Sequence, residues 1–378
     1  MPRTIGPYEI GSRLGAGGMA EIFLAETRSE GGFRRKVALK LIRKEFRGNA
    51  VLLERFLIEA RTQARLSHPN IVKVLDFGIE PEPFIALEHV EGVSAGRLLF
   101  RMYELRQRVD VSATMLIATG VAQALDHAHK LLDDEGTPLG IVHRDLSPSN
   151  VLLSASGHPY LTDFGLVQVA DNILETYGAI PVGTFCYMAP EQIAGGHVDA
   201  RADLFSLGVV LWEMLTTRQL IPTRDRDEVA RILAVADFPR PSAVNPEVPE
   251  DLDELTMQCL RRDPEGRPPS AEAVSVALQR MAHERAPGYG REQLAKTLRW
   301  AFPERAWARP PATDPAPQPS ADERAKLATR APSALSLKAA ALREWIRKNA
   351  TAAIIVGVLL GLTAILSFIA GLLVSALG

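Results

Sequence analysis

The first regular pattern along the chain is a set of three apolar-rich, strand-length runs over residues 8–41. A glycine-rich turn, Gly15-Ala16-Gly17-Gly18-Met19-Ala20, separates the first two. Residues 51–66 carry good helix formers with no internal Gly or Pro and predict a helix. It stops within Ser67-His68-Pro69-Asn70, because proline disfavours helical geometry at the residue before it. Two apolar strands are expected over 71–77 and 84–87, and a long alanine-rich helix over 111–130. Met115, Ile117, Val121, Leu125 and Ala128 recur there near helical spacing, a stripe that belongs in a core. A polar turn over 133–138 leads into Ile141-Val142, and Asp203 opens another apolar helix that runs through Leu215. A shorter helix is expected over 292–302, with Leu294, Leu298 and Phe302 on one side and Trp300 on a different face. Packing on the preceding domain explains that spacing, and so would a partner-binding or membrane-lying helix.

Composition changes abruptly after that. Residues 303–332 are rich in proline, alanine and charge, which predicts an extended tether, and residues 350–378 contain no charged side chain. That last stretch would span roughly 40 Å as a helix, more than the roughly 30 Å of a hydrocarbon core. A membrane helix is therefore expected. Lys338, Arg343, Arg347 and Lys348 precede it and no basic residue follows, so the charge rule keeps the rest of the chain cytoplasmic, with Trp345 at the interface. The expected arrangement is a single-pass C-terminal tail anchor in the cell membrane, with no sensor beyond it. Gly357 and Gly361 form a G-x-x-x-G, which would let two such helices meet as a homodimer.

The 43 basic and 45 acidic residues nearly balance, so no global basic field points to nucleic acid. Cys186 and Cys259 lie far apart and suggest neither a zinc site nor a disulfide framework. Residues 1–10 show no charged-then-apolar export signal.

The chemistry concentrates in His143-Arg144-Asp145-Leu146-Ser147-Pro148-Ser149-Asn150 and in Asp163-Phe164-Gly165, thirteen residues further on. Two aspartates and an asparagine on neighbouring strand ends can orient a hydroxyl and hold divalent cations against phosphates. With Val37-Ala38-Leu39-Lys40, the glycine turn and Ala189-Pro190-Glu191 in order, the sequence resembles a eukaryotic-like serine/threonine protein kinase of the bacterial, membrane-anchored type. The resemblance covers about residues 8–284. It implies an α+β, bilobal fold: a small β-rich lobe over 8–90 with one main helix, and a larger helical lobe over 91–284. A flanking helix over 285–302, a juxtamembrane linker over 303–349 and the transmembrane helix over 350–378 complete the expected domains.

What the resemblance implies for the site is specific. ATP would bind with Mg2+, or Mn2+ in its place, and transfer its γ-phosphate to protein hydroxyls. Leu14, Gly15, Gly17 and Gly18 would cover the phosphates, and the missing third glycine, Ala20, departs from G-x-G-x-x-G. Ile22, Ala38 and Leu152 would enclose the adenine, with the backbone of Glu88 and Val90 at its edge and Leu87 behind it. Lys40 would bind phosphate, held by Glu59; the other reading puts Glu59 on a solvated face with Arg55 and Arg61. Asp145 would orient the acceptor hydroxyl, Asn150 and Asp163 would hold magnesium, and Asp203 would brace the loop from beneath. Arg144 is the type of residue that pairs with a phosphate on the activation segment, and Thr176 is either its autophosphorylated partner or an ordinary loop hydroxyl, while Thr184 would contact Asp145 and favour Ser/Thr substrates. Arg267 would pair with Glu191. Ser147 stands where the pattern H-R-D-x-K-P-x-N has lysine, which implies lowered activity or a cation from elsewhere, and leaves a nucleotide-binding pseudokinase scaffold as the alternative.

Overall fold

The computed structural model describes residues 3–28, 34–79, 81–164, 185–235 and 237–308. The chain divides into two units, residues 1–310 and 311–378, and the second lies wholly outside the described residues. The expected tether beyond residue 308, the membrane helix with Gly357 and Gly361, and the segment carrying Thr176 and Thr184 therefore fall outside them.

The first lobe is a six-stranded antiparallel sheet in the order β1-β2-β3-β4-β6-β5. Its strands are β1 (Thr4–Ile5), β2 (Tyr8–Ala16), β3 (Ala20–Arg28), β4 (Arg34–Ile42), β5 (Val74–Gly78) and β6 (Phe84–Glu88). One face closes over Ile5, Tyr8, Val37, Leu39 and Phe84. The other packs Ile42, Ile85 and Leu87 against Phe56 and Ala60 of helix α1 (Ala50–Arg65). Asn49 caps that helix, its side chain accepting from the N–H groups of Val51 and Leu52 at 3.1 and 3.2 Å.

The strand expected over 71–77 begins only at Val74. Residues 70–72 instead join the other lobe's sheet: Leu161 N–H donates to the Asn70 carbonyl at 2.7 Å and Val72 N–H to the Leu161 carbonyl at 3.0 Å. These backbone groups bridge to Leu161 before the chain can enter the small-lobe sheet.

The second lobe starts with β7 (Gly92–Ser94) and helix α2 (Ala95–Glu104), followed by α3 (Val111–His129). Strands β8 (Val151–Ser154) and β9 (Pro159–Leu161) complete a small antiparallel sheet, β7-β8-β9. The expected stripe on α3 is buried throughout. Gly120 lets the β8–β9 hairpin sit on α3, because a Cβ there would lie 2.6 Å from Pro159 Cγ. Helices α4 (Pro190–Ile193), α5 (Arg201–Thr216), α6 (Arg226–Val235), α7 (Pro241–Val244), α8 (Glu250–Cys259) and α9 (Ala271–Arg285) follow. Helix α5 is buried from Ala202 to Thr216, which explains its nearly uninterrupted apolar sequence.

Helix α10 (Arg291–Ala301) is part of this lobe. Leu294, Leu298, Ala301 and Phe302 enter the same core as α3 and α9, while Trp300 is exposed. The chain stays folded to Ala308, past the expected start of the linker at Pro303. Trp307 packs against that core, and Ala308 N–H donates to the Arg305 carbonyl at 3.0 Å.

Candidate active site

Lys40 lies on β4, opposite Ile22 on β3, so the pleat sends its side chain inward over the gap between lobes. Its ammonium pairs with Glu59 on α1 and lies 2.8 Å from Asp163 Oδ1. Burial opposes the charge, but the carboxylates of Asp163 and Glu59 outweigh it and drive the Lys40 pKa up. Burial raises Glu59 while the adjoining ammonium opposes the rise. The solvated-face reading of Glu59 is excluded, since Glu59 is buried; Arg55 is buried too, and only Arg61 is exposed. The contact between Lys40 and Asp163 was not foreseen in the sequence, where 123 positions separate them.

The loop over residues 143–150 is held from below. Asp203, in the first turn of α5, accepts from the backbone N–H groups of His143 and Arg144, each at 2.8 Å. His129, at the end of α3, lies 2.8 Å from the same carboxylate. Burial pushes Asp203 up, but the imidazole bond and these amides prevail and keep it below the usual range. The His143 ring lies tilted against Phe164 at 4.7 Å between ring centroids, and its Nε2 meets the Thr162 carbonyl at 3.0 Å. Arg144 and Asp163 both adopt left-handed backbone, with φ of 62° and 63°. Strain of this kind in non-glycine residues collects where function over-determines geometry.

Asn150 donates from Nδ2 to the Asp145 carbonyl at 2.7 Å and to Asp145 Oδ2 at 3.1 Å. That fixes the Asp145 carboxyl, pushed up to about 7 by burial first and the nearby Asp163 charge second. Among the described residues no group of three His, Cys, Asp or Glu could hold a metal. The oxygens of Asn150 and Asp163 suit magnesium nonetheless, since that ion takes one or two protein ligands and completes its shell with phosphates and water.

Above this cluster, Ala38, Val90 and Leu152 pack beside the core that includes Leu87. Glu88 N–H donates to the Lys73 carbonyl at 2.9 Å, so a bond from Glu88 to a ligand falls to its carbonyl. The glycine turn is tight: Gly17 N–H donates to the Ala20 carbonyl at 2.8 Å. A Cβ at Gly15 would meet nothing within 4 Å, and one at Gly17 only the Ala20 carbonyl. These glycines therefore leave room above the site and are not forced by crowding. Leu14 is exposed at the edge. Arg43 reaches over, Nη2 donating to the Gly17 carbonyl at 2.6 Å.

Ser147 is buried in the loop. Arg144, Arg61 and Arg65 line a cavity of about 370 Å3 with Ile58, Thr62, Leu139 and Val142. Their guanidinium groups make no hydrogen bond or ion pair among the described residues. Arg61 and Arg65 stand four residues apart on α1, a spacing that puts them on one face and was readable as such.

Beyond the cleft, Arg267 forks onto Glu191 at 2.6 and 2.8 Å and donates to the Arg201 carbonyl at 2.9 Å. Gln192 donates to the Arg144 carbonyl at 3.0 Å, tying α4 to the loop. Cys186 is buried, its thiol pushed up by burial, and it donates to the Thr223 carbonyl at 2.8 Å.

Comparison with known proteins gives a consistent result. Residues 8–278 match the family described as the protein kinase domain. The tyrosine-protein kinase MasK of Myxococcus xanthus is 35% identical over 300 residues, covering 79% of this chain and 46% of that protein. Serine/threonine-protein kinase PknD of Mycobacterium tuberculosis is 36% identical over 277 residues, covering 72% and 39%. Among solved structures, the kinase domain of Mycobacterium tuberculosis PknI (C20A mutant) matches with a TM-score of 0.56 and 28% identity, over 74% of this chain and 98% of that one. The chain spans less than half the length of these curated relatives.

Proposed function

Since this chain belongs to the eukaryotic-like serine/threonine protein kinase family, we propose that it transfers the γ-phosphate of ATP to serine and threonine hydroxyls of proteins. The observation that carries the reading is the convergence of Lys40, Glu59, Asp145, Asn150 and Asp163 across the gap between lobes.

Asp145, its Oδ2 held by Asn150, has Oδ1 without a partner among the described residues to orient an incoming hydroxyl and take its proton. Lys40 would leave Asp163 for the first phosphates of ATP while Glu59 keeps it in place. Asn150 and Asp163 are the residues to hold magnesium, whose charge offsets that of the phosphates. Gly15 and Gly17 leave space for the phosphates, and Gly18 follows them in the same turn; Ile22, Ala38, Val90 and Leu152 suit the adenine. Ser147 leaves the transferred phosphate without the usual lysine, so its stabilisation rests on the remaining cations and slows the reaction.

Regulation follows the same chemistry. Thr176 is the autophosphorylation site in this reading, and Arg144 is its receptor. The guanidinium of Arg144, without a partner among the described residues and beside those of Arg61 and Arg65, supports it. Thr184, whose place in the sequence matches the threonine that contacts the catalytic aspartate in the family, would favour Ser/Thr acceptors. Residues 350–378 anchor the protein in the cell membrane with the kinase cytoplasmic, and Gly357 with Gly361 pairs two copies. The uncharged sequence of that stretch and the basic residues before it support this part. Among the described residues no helix is long and apolar enough to cross a membrane.

The test is transfer of labelled phosphate by the fragment 1–308, beside Asp145→Asn, followed by phosphoamino-acid analysis. Label lost in the variant supports a working kinase. Phosphotyrosine alone would replace the Ser/Thr reading with the activity that MasK is named for. ATP binding without transfer would favour the scaffold. Full transfer by Thr176→Ala would remove Thr176 from regulation.

A further inference from the structure

We infer that the corner of the large lobe formed by α2 and α10 is a docking surface for an anionic lipid bilayer, so that the catalytic unit lies on the membrane and does not only hang from it. The inference rests on the reading that residues 350–378 insert in the bilayer.

Three aromatic side chains carry it. Phe100, on the side of α2 opposite the buried Ala95, Leu98 and Met102, and Tyr103, on the flank of that helix, are 64% and 70% exposed, and Trp300 on α10 is 56% exposed. Other large exposed apolar side chains, such as Leu14, Phe77 and Val235, come from different elements. The two helices pack together, Arg101 Nε donating to the Ala301 carbonyl at 2.9 Å, and Phe100 and Trp300 are the chain neighbours of these two residues. Nothing in the core of the lobe calls for aromatics at these positions, since each helix already buries its opposite face. Trp and Tyr favour the water–lipid boundary, where the ring is sheltered and the polar edge stays wet.

Charge agrees. Residues 95–108 hold four arginines, Arg97, Arg101, Arg106 and Arg108, against Glu104 alone. Residues 291–305 hold Arg291, Lys296, Arg299 and Arg305 against Glu292 and Glu304. Both segments are thus net basic in a chain whose net charge is −2. Anionic headgroups attract such cations within about a Debye length, while the aromatics supply apolar contact. Position agrees as well. The described chain ends at Ala308, in a turn packed against α10, and it is the chain from this point that leads to the uncharged residues 350–378. A second membrane contact on the same molecule is strengthened further by the tail, which raises its local concentration.

The experiment uses the fragment 1–308, which lacks the tail, with vesicles of phosphatidylcholine alone and of phosphatidylcholine with phosphatidylglycerol. Binding to the mixed vesicles, weakened by salt, is expected, with tryptophan emission shifting to the blue in a way that the variant lacking Trp300 loses. The variant F100S/Y103S/W300S should bind them about tenfold more weakly or less, with unchanged melting temperature and phosphate transfer. Equal binding to both vesicles, equal binding by the variant, or no binding at all overturns the inference and leaves a protein partner for this corner. Full-length protein is assayed in parallel: release from membranes by alkaline carbonate would sink the anchoring reading alone, whereas retention of the triple variant beside lost vesicle binding of its fragment separates the two contacts.

Discussion

Arg267 and Glu191 meet as a two-pronged ion pair, at 2.6 and 2.8 Å, with the guanidinium wholly buried and its remaining N–H groups spent on backbone carbonyls. Removing either partner strands a charge in the interior. Arg267→Ala should therefore destabilise the large lobe by about 3–5 kcal/mol. Urea unfolding measures this, and activity should fall in step with the folded fraction. An inactive variant of undiminished stability would give this pair a catalytic part that its distance from the cleft residues does not suggest.

In the cleft the expected effect is on chemistry. Asp145→Asn keeps the hydrogen bond from Asn150 but loses the proton acceptor, and transfer should drop by about 10²–10⁴. Nucleotide affinity, measured by titration calorimetry, should stay near wild type. Lys40→Met should weaken nucleotide binding and transfer together, because the side chain loses Asp163, Glu59 and the phosphates at once.

Acid should silence the enzyme near neutrality. The Asp145 carboxyl, pushed up to about 7, is protonated below that value and then cannot accept a proton. The kcat/KM profile should lose about tenfold per pH unit on its acid side, with the break near the Asp145 value. Since the Asp163 charge contributes to the rise, kcat, which reports the bound complex, should break at lower pH. A kcat/KM profile flat through neutrality would contradict this assignment.

Glu213 makes a separate prediction, about stability. Burial pushes its carboxyl up to about 7, although the Tyr187 hydroxyl and Leu220 N–H donate to it at 2.8 and 3.2 Å. The folded state thus holds a proton that the unfolded chain releases above its ordinary value of 4.5. That contribution is complete below the ordinary value and is lost as pH rises through about 7. Glu213→Gln should flatten this part of the melting-temperature profile and compare best with wild type at alkaline pH.

Gly157 is the position where a single methyl group should matter most. Its φ is +78°, and a Cβ would lie 1.9 Å from the Arg291 carbonyl at the start of α10. Gly157→Ala should cost more than about 1 kcal/mol and make the chain near residue 291 more sensitive to protease. Ending the chain at 284 should do worse, because Leu294, Leu298 and Phe302 leave the core together.

Much of this was legible beforehand because single residues carried it. Lys40 stood in a recognisable strand, Glu59 inside an apolar helix segment, and Asp203 at the head of a helix too apolar to be anywhere but buried. What escaped was contact between distant segments. Nothing near Asp163 announces Lys40 as its neighbour, and nothing in Ile71-Val72 says that their backbone serves Leu161 before the small-lobe sheet. His129 ends an ordinary helix, and its bond to Asp203 depends on how α3 and α5 pack. The end of the folded lobe was misplaced for a similar reason. Pro303 looked like the start of a tether because composition cannot show that Trp307, four residues later, still finds the core.

The attachment of α10 has a mechanical consequence. Any pull applied to the chain beyond residue 308 passes through the turn that holds Trp307 and then to this helix, whose ends are pinned at two places. Near its end the Ala301 carbonyl holds Arg101 of α2, the helix directly after β7; at its start Arg291 lies 3.3 Å from His158, in the turn between β8 and β9. Tension would thus arrive at the hairpin that carries Leu152, a residue of the proposed nucleotide site. A load on the chain past residue 308 would then reach the proposed cleft between the lobes.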